Sequence, residues 1–199
     1  MSRYQVRNLD PSDYATLMKL EIEIFGGDGE DVLGPYYVRL CCDFYNDTCF
    51  IVTHDGEPAG YILGFMRDRD AYCTTLAVMP KFQGTRAVHY LLRAFCQAVA
   101  PRADSCWFTV KEDNAAARAV HATLGAREVG VRKDFYGPGE DRIVSVIERD
   151  VFARLARRYK RLGFAENADS AAAPPDSRPM LLLGGRQGEV VPARYVEAS

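Results

Sequence analysis

Apolar positions first recur at helical spacing, with Tyr14, Leu17, Met18, Ile22 and Phe25 forming one stripe. Asp10-Pro11-Ser12-Asp13 ahead of the stripe is a helix start: a capping carboxylate, a proline at the first helical position and an acid in the first turn. Gly26-Gly27-Asp28-Gly29-Glu30-Asp31 cannot continue a helix cheaply and reads as an acidic, mobile loop. A second short helix follows Gly34-Pro35, with Tyr37, Leu40, Cys41 and Phe44 on one side. The period then shortens. Residues 49–53 and 59–66 read as a hairpin around His54-Asp55-Gly56-Glu57, and residues 71–78 as a third strand ended by Pro80. Helical spacing returns at Val88, Leu91, Leu92, Phe95, Cys96 and Val99, and Pro101 stops it. Residues 106–110 form another strand, and residues 114–124 an alanine-rich helix closed by Gly125. Residues 129–135 and 143–147 make a second hairpin around Gly137-Pro138-Gly139-Glu140-Asp141.

The order α-α-β-β-β-α-β-α-β-β predicts an α/β (α+β) domain over residues 1–149, a mixed, mostly antiparallel sheet with helices on its faces. Asp150 caps a further helix over residues 150–163. Val151, Leu155, Tyr159 and Leu162 are its apolar side, and Arg154, Arg157, Arg158, Lys160 and Arg161 cover the other. This basic face reads as a solvated surface, or as a holder for an acidic partner. Residues 164–199 carry Pro174, Pro175, Pro179 and Pro192, the composition of a linker or flexible tail. Met180-Leu181-Leu182-Leu183 within it offers a docking segment for this domain or for a second copy, a homodimer.

Composition narrows the class of partner. The 199 residues are 48% hydrophobic and 26% charged with a net charge of -2, which fits a globular fold and argues against a dedicated nucleic-acid binder. No apolar run approaches the roughly 20 residues needed to cross a bilayer, and the first residues show no signal-peptide core, so a cytoplasmic protein is expected. Cys41, Cys42, Cys49, Cys73, Cys96 and Cys106 form no CxxC pair and sit mostly in apolar runs, which predicts small buried hydrophobes without a metal; Cys73 alone stands out as an exception to weigh.

Two segments carry candidate chemistry. At Leu76-Ala77-Val78-Met79-Pro80-Lys81-Phe82-Gln83-Gly84-Thr85-Arg86-Ala87-Val88 a strand ends at a proline and a short loop turns into a helix. First-turn amides have no intrahelical acceptor and favour a phosphate, and Arg86 adds a positive charge there. A plain structural turn has the same look, and the GxxxxGK[ST] of a nucleotide loop is missing. The second segment, Asn114-Ala115-Ala116-Ala117-Arg118-Ala119-Val120-His121, begins with small residues that let a thin ligand lie close to the backbone, and it places His121 on the face of Ala117.

Together these segments resemble the acetyl-CoA-binding core of the GNAT family of N-acetyltransferases. Val78, Pro80 and Gln83 match the family's V-x-P-x-x-[QR]-x-x-G-x-[GA]. Asn114, Ala117, Gly125 and Ala126 match N-x-x-A-x-x-x-Y-x-x-x-G-[FA], with His121 in place of the usual tyrosine. The element order agrees over residues 3–149, and the start of the chain and Phe135-Tyr136-Gly137-Pro138-Gly139-Glu140-Asp141 look most like the N-terminal and ribosomal-protein alanine acetyltransferases. The resemblance implies acetyl-CoA as cosubstrate and transfer to a primary amine, on a peptide N-terminus or a small molecule, by direct attack. It implies that Leu76, Ala77 and Val78 hold the pantetheine by their backbone, that Gln83, Gly84, Thr85, Arg86, Ala87 and Val88 hold the pyrophosphate, and that Asn114 and Ala117 contact the cofactor arm. It places the acceptor over residues 26–35 and 135–141.

Four positions depart from the pattern. Arg86 and Val88 stand where small residues are usual; Arg86 offers a direct phosphate partner, and Gly84 offers the flexibility a shifted loop needs. His121 takes the place of the acid that protonates the departing thiolate, which an imidazolium is able to do, its pKa lying near ~6.5 against ~8.5 for a thiol. Thr109 stands where the alanine acetyltransferases carry a glutamate base, and a threonine is no base near neutral pH; Cys73, Glu112, Glu21 and Glu23 are the substitutes. These departures also define the alternative: a catalytically degenerate module of the same fold that binds acyl-CoA or a protein.

Overall fold

The structure is a computed structural model and describes residues 3–27 and 32–161. Seven strands form one sheet in the order β1-β2-β3-β4-β5-β7-β6: β1 Tyr4–Asn8, β2 Phe50–His54, β3 Glu57–Arg67, β4 Asp70–Val78, β5 Ser105–Val110, β6 Arg127–Arg132 and β7 Arg142–Glu148. All neighbouring pairs are antiparallel except β4–β5. The helices are α1 Tyr14–Phe25, α2 Pro35–Asp43, α3 Ala87–Val99, α4 Ala115–Thr123 and α5 Arg149–Arg161. The expected mixed, mostly antiparallel α/β architecture is therefore present. No helix among the described residues is long and apolar enough to cross a membrane.

Strand β1 is the element missing from the sequence reading. It is an edge strand with only Tyr4 and Val6 partly buried, so its apolar signal is thin, and its pairing with β2 makes it a strand. Arg7 at its end grips Asp13 through two hydrogen bonds (2.6 and 2.7 Å), while Asp13 also accepts the Asp10 amide and Asp10 accepts that of Ser12. The predicted helix start at Asp10 is thus a capped short turn leading into α1.

The core has two layers. On one face α3 and α5 bury Leu91, Phe95, Val99, Phe152 and Leu155 against the sheet. On the other, α1 and α2 bury Leu17, Leu20, Val38, Cys41 and Cys42 against Tyr61 and Leu63 of β3. Two helix faces differ from expectation. Ile22 and Phe44, read as apolar-stripe residues, are 58% and 74% exposed, and Glu21 and Cys42 lie inside instead, because the faces turned to the sheet are shifted by a residue or two. All six cysteines are buried and unbridged, Cys73 included, as small hydrophobes would be. Among the described residues no cluster of three or more His, Cys, Asp or Glu could hold a metal. Helix α5 begins at Arg149, which puts Asp150 in its first turn, paired with Arg154 at 2.7 Å. Positions 28–31 of the acidic loop, Leu162, and the tail 164–199 with Met180–Leu183 lie outside the described residues.

Two local features position the site. Opposite β3 the register of β4 slips by one residue, Leu63 facing Thr75 and Gly64 facing Cys73, so Thr74 is the extra residue of a bulge. The Tyr37 hydroxyl of α2 meets Thr74 Oγ1 at 2.6 Å and Thr74 donates to the Leu63 carbonyl, which fixes the bulge from outside the sheet. The parallel pairing of β4 with β5 covers only Asp70↔Ser105, Ala71↔Cys106 and Tyr72↔Trp107. Beyond Tyr72 both strands continue but no longer pair, and a wedge opens between them.

Candidate functional site

A cavity of about 310 Å³ occupies this wedge. Leu76, Ala77 and Val78 of β4 form one wall, and Asn114, Ala117 and His121 on and before α4 form the opposite one. Gln83 and Val88 close one end, and Ile24 and Phe25 at the end of α1 approach the other face. Of the twelve residues singled out from the sequence, eight line this single cavity. Gly84, Thr85, Arg86 and Ala87 do not; they make the turn beside it that starts α3.

The turn explains how the chain manages without the usual glycines. Gly84 takes φ 72°, the left-handed region in which a side chain is strained, so the one backbone excursion falls two residues early. Arg86, at φ -76°, holds the N-cap position of α3 in ordinary helical geometry. The Ala87 side chain is fully buried in the core, and its amide points to Thr85 Oγ1 (3.3 Å). The first-turn amides of Val88 and His89 remain without intrahelical acceptors. Gln83 folds its amide side chain back onto the Val78 carbonyl at 3.3 Å, stiffening the exit from β4.

Across the wedge, Asn114 accepts the Ala117 amide at 3.0 Å and so caps α4. In this structure its side chain holds the helix, and its wall position presents it to the cavity at the same time. The helix ends at Gly125 (φ 79°), where the Ala126 amide returns to the His121 carbonyl at 2.9 Å. This turn fixes His121 near the end of α4. Its ring packs 4.6 Å from that of Phe108, and its Nδ1 is buried with no hydrogen-bond partner. Burial lowers its pKa from the ordinary imidazole value, outweighing the nearby Glu128 carboxylate, which raises it. His121 is thus half-buried: its ring lines the cavity, while its Nδ1 is buried without a partner.

The candidate bases are resolved differently. Burial pushes the Cys73 thiol up to about 12, which removes it as a base near neutral pH. Glu112 is exposed on the loop before α4, and Glu23 is exposed and 3.6 Å from Lys19. Glu21 is buried, its Oε2 accepting the Leu33 amide at 2.9 Å. Thr109 is taken up by Tyr72, hydroxyl to hydroxyl at 2.6 Å. Burial raises the Tyr72 phenol to about 12, with the Thr109 hydrogen bond opposing and the neighbouring Tyr136 hydroxyl adding to it. Tyr136, 65% exposed on the β6–β7 connection, carries the Arg142 guanidinium over its ring at 4.9 Å. Tyr37, Tyr72 and Tyr136 are residues that sequence reasoning passed over. Alternation in β4 marks Tyr72 and Thr74 as sharing a face, but only contacts between distant elements pair Tyr37 with Thr74 and Tyr72 with Thr109.

Comparison with known proteins places this geometry. The sequence model of the Acetyltransferase (GNAT) family matches residues 14–126, more than half of the chain. A search of the curated proteins returns no match. Among solved structures, the chain is similar to the ribosomal-protein-S18-alanine N-acetyltransferase of Escherichia coli, at 19% identity and a TM-score of 0.60 over 73% of this chain and 94% of that one. The diaminobutyrate acetyltransferase EctA of Paenibacillus lautus, solved with L-2,4-diaminobutyric acid and coenzyme A, gives 21% identity and a TM-score of 0.63 over 75% and 96%. Naa50 of Arabidopsis thaliana, solved with the bisubstrate analogue CoA-Ac-MVNAL, gives 14% and 0.63 over 73% and 98%. At these identities the structures speak to the fold alone, and the family model over more than half of the chain carries the assignment: this chain belongs to the acetyltransferase (GNAT) family.

Proposed function

We propose that the protein is an acetyl-CoA-dependent N-acetyltransferase that acts on a primary amine, either a peptide N-terminus or a small amine. The observation that carries this reading is the wedge itself. Strands β4 and β5 stop pairing after Tyr72, and the gap is walled by the Leu76–Val78 backbone and by His121 with its unfilled Nδ1. The unpaired edge of β4 supplies amide and carbonyl groups able to hold the pantetheine arm, whose own amides complement them. The Val88 and His89 amides, with Arg86 beside them, suit the pyrophosphate.

The cosubstrate supplies the acetyl thioester; the chain supplies position and proton transfer. A neutral acceptor nitrogen attacks the carbonyl directly, and no cysteine nucleophile is called for, the buried high-pKa Cys73 being unsuited to that role. His121 protonates the departing thiolate, and the proton that the attacking nitrogen sheds on becoming an amide passes to water, from which His121 is recharged. Its lowered pKa makes its cation a stronger acid than free imidazole, at the expense of a smaller protonated fraction near neutral pH. We place the acceptor between the end of α1 and a wall of phenols and threonine hydroxyls made by the Tyr37–Thr74 pair, the Tyr72–Thr109 pair and Tyr136 beside Tyr72. Such a wall suits the amide groups that follow a peptide N-terminus.

Titration with acetyl-CoA tests the reading first. We expect 1:1 binding with a micromolar Kd, and then acetylation in a screen of alanine-initiated peptides and of L-2,4-diaminobutyrate. The second reading, a module that no longer transfers, draws on Val88 in the cavity wall and on the Ala87 amide engaged by Thr85. Absence of binding at millimolar acetyl-CoA would favour it and end the first.

A further inference from the structure

One buried acid among the described residues lies outside the proposed chemistry. Glu21 is 1% exposed, in the middle of α1, within an apolar layer built by Leu17, Leu20, Val38 and Leu63. One carboxylate oxygen, Oε2, accepts the Leu33 amide at 2.9 Å; the other, Oε1, is buried with no partner. Burying a carboxyl group with half its hydrogen-bonding capacity unused costs stability, and a leucine of similar length would fill the same space without that cost. A group this expensive needs another account.

Its position supplies one. Three and four residues further along the same helix are Ile24 and Phe25, which line the cavity. Leu33 stands twelve residues after Glu21, just ahead of α2, and α2 carries the Tyr37 hydroxyl that meets Thr74 at the β4 bulge. The single Glu21–Leu33 hydrogen bond therefore ties α1, whose Ile24 and Phe25 line the cavity, to the segment that leads into α2 and Tyr37. We propose that Glu21 is a positioning residue for the acceptor: it holds the Leu33 amide so that Ile24, Phe25 and Tyr37 keep a fixed spacing. The proposal rests on the acetyltransferase reading above only for its kinetic part.

Two variants separate the roles. Glu21→Gln keeps an oxygen for the Leu33 amide and removes the charge; Glu21→Leu keeps the volume and removes the acceptor atom. Three readouts are used: amide exchange at Leu33 to Tyr37, calorimetric acetyl-CoA affinity, and KM and kcat with an alanine-initiated hexapeptide. For Glu21→Leu we expect exchange at Leu33 to rise at least tenfold and KM for the hexapeptide at least fivefold, with kcat and acetyl-CoA Kd within twofold of wild type. Glu21→Gln should retain wild-type exchange and KM. Should the leucine variant fail to fold, the glutamine variant decides, since a tenfold faster exchange or a fivefold higher KM in it would overturn the proposal. Unchanged Leu33 exchange in Glu21→Leu, or a parallel loss of acetyl-CoA affinity, would overturn it equally. If the wild-type protein neither binds acetyl-CoA nor acetylates the hexapeptide, the functional reading fails and the exchange data alone decide the anchor.

Discussion

Replacing His121 by phenylalanine is expected to lower kcat by roughly 100- to 10,000-fold, the usual contribution of a positioned general acid, while the acetyl-CoA Kd stays within a few-fold. Phenylalanine fills the space beside Phe108 and removes the unfilled Nδ1, so the packing of α4 survives and the acid does not. The pH profile carries the sharper test. Transfer needs His121 protonated and the amine neutral. The pKa of His121 lies below the ordinary imidazole value, and that of a peptide α-amine lies near ~8. Wild-type kcat/KM should then rise up to the lowered His121 pKa, run level to the pKa of the amine, and fall beyond it as the imidazolium disappears. In His121→Phe the rise should continue to the pKa of the amine and the alkaline fall should vanish. An alkaline fall that persists in the variant would take His121 out of the proton transfer.

The second large effect concerns Gly60 on β3. A Cβ at this position would stand 2.4 Å from the Ala77 carbonyl oxygen and 3.0 Å from the Val78 Cα, both on the strand that walls the cavity. The obstacle is backbone, with no flexible side chain to give way, so β4 itself must shift. Overpacking of this kind costs about 1–3 kcal/mol, which for a domain of this size lowers Tm by roughly 2–4 °C per kcal/mol. Gly60→Ala should show that loss by calorimetry and, unlike His121→Phe, should also weaken acetyl-CoA binding at least tenfold, because the displaced segment is the one assigned to the pantetheine. A lower Tm with unchanged affinity would detach the Leu76–Val78 backbone from cofactor binding.

These two variants also mark how far the sequence could be read. Helices α3 and α4 announce themselves by spacing and punctuation, from Val88 to Pro101 and from Asn114 to Gly125, because the signals lie within a few residues of each other. The same holds for the turn at Gly84, where a glycine out of its usual place still marks the positive φ. What escaped depends on partners far away in the chain. Strand β1 has too few apolar positions to stand out and exists by pairing with β2. Ile22 and Glu21 are adjacent, and helical spacing alone favoured burying the isoleucine; the angle of α1 on the sheet buries the glutamate. The candidate site residues reached the cavity, apart from Gly84 to Ala87, whereas the Tyr37–Thr74 and Tyr72–Thr109 pairs join residues 37 positions apart.

The short parallel seam between β4 and β5 has a bearing on the molecule's internal cooperativity. Three paired positions join β1–β4 to the group made of β5, β6 and β7. The far group is thinly clad: α4 has no buried residue, and β6 is exposed along its whole length. Regions with few buried contacts open at low free energy, ahead of global unfolding. The α4 and β6 edge is thus the first part to come loose, β5 and β7 being held in the shared core, and a ligand bridging both walls of the wedge acts as a second seam. At a concentration 100 times its Kd such a ligand contributes about 2.7 kcal/mol, and that contribution is felt most by the part of the sheet with least to hold it.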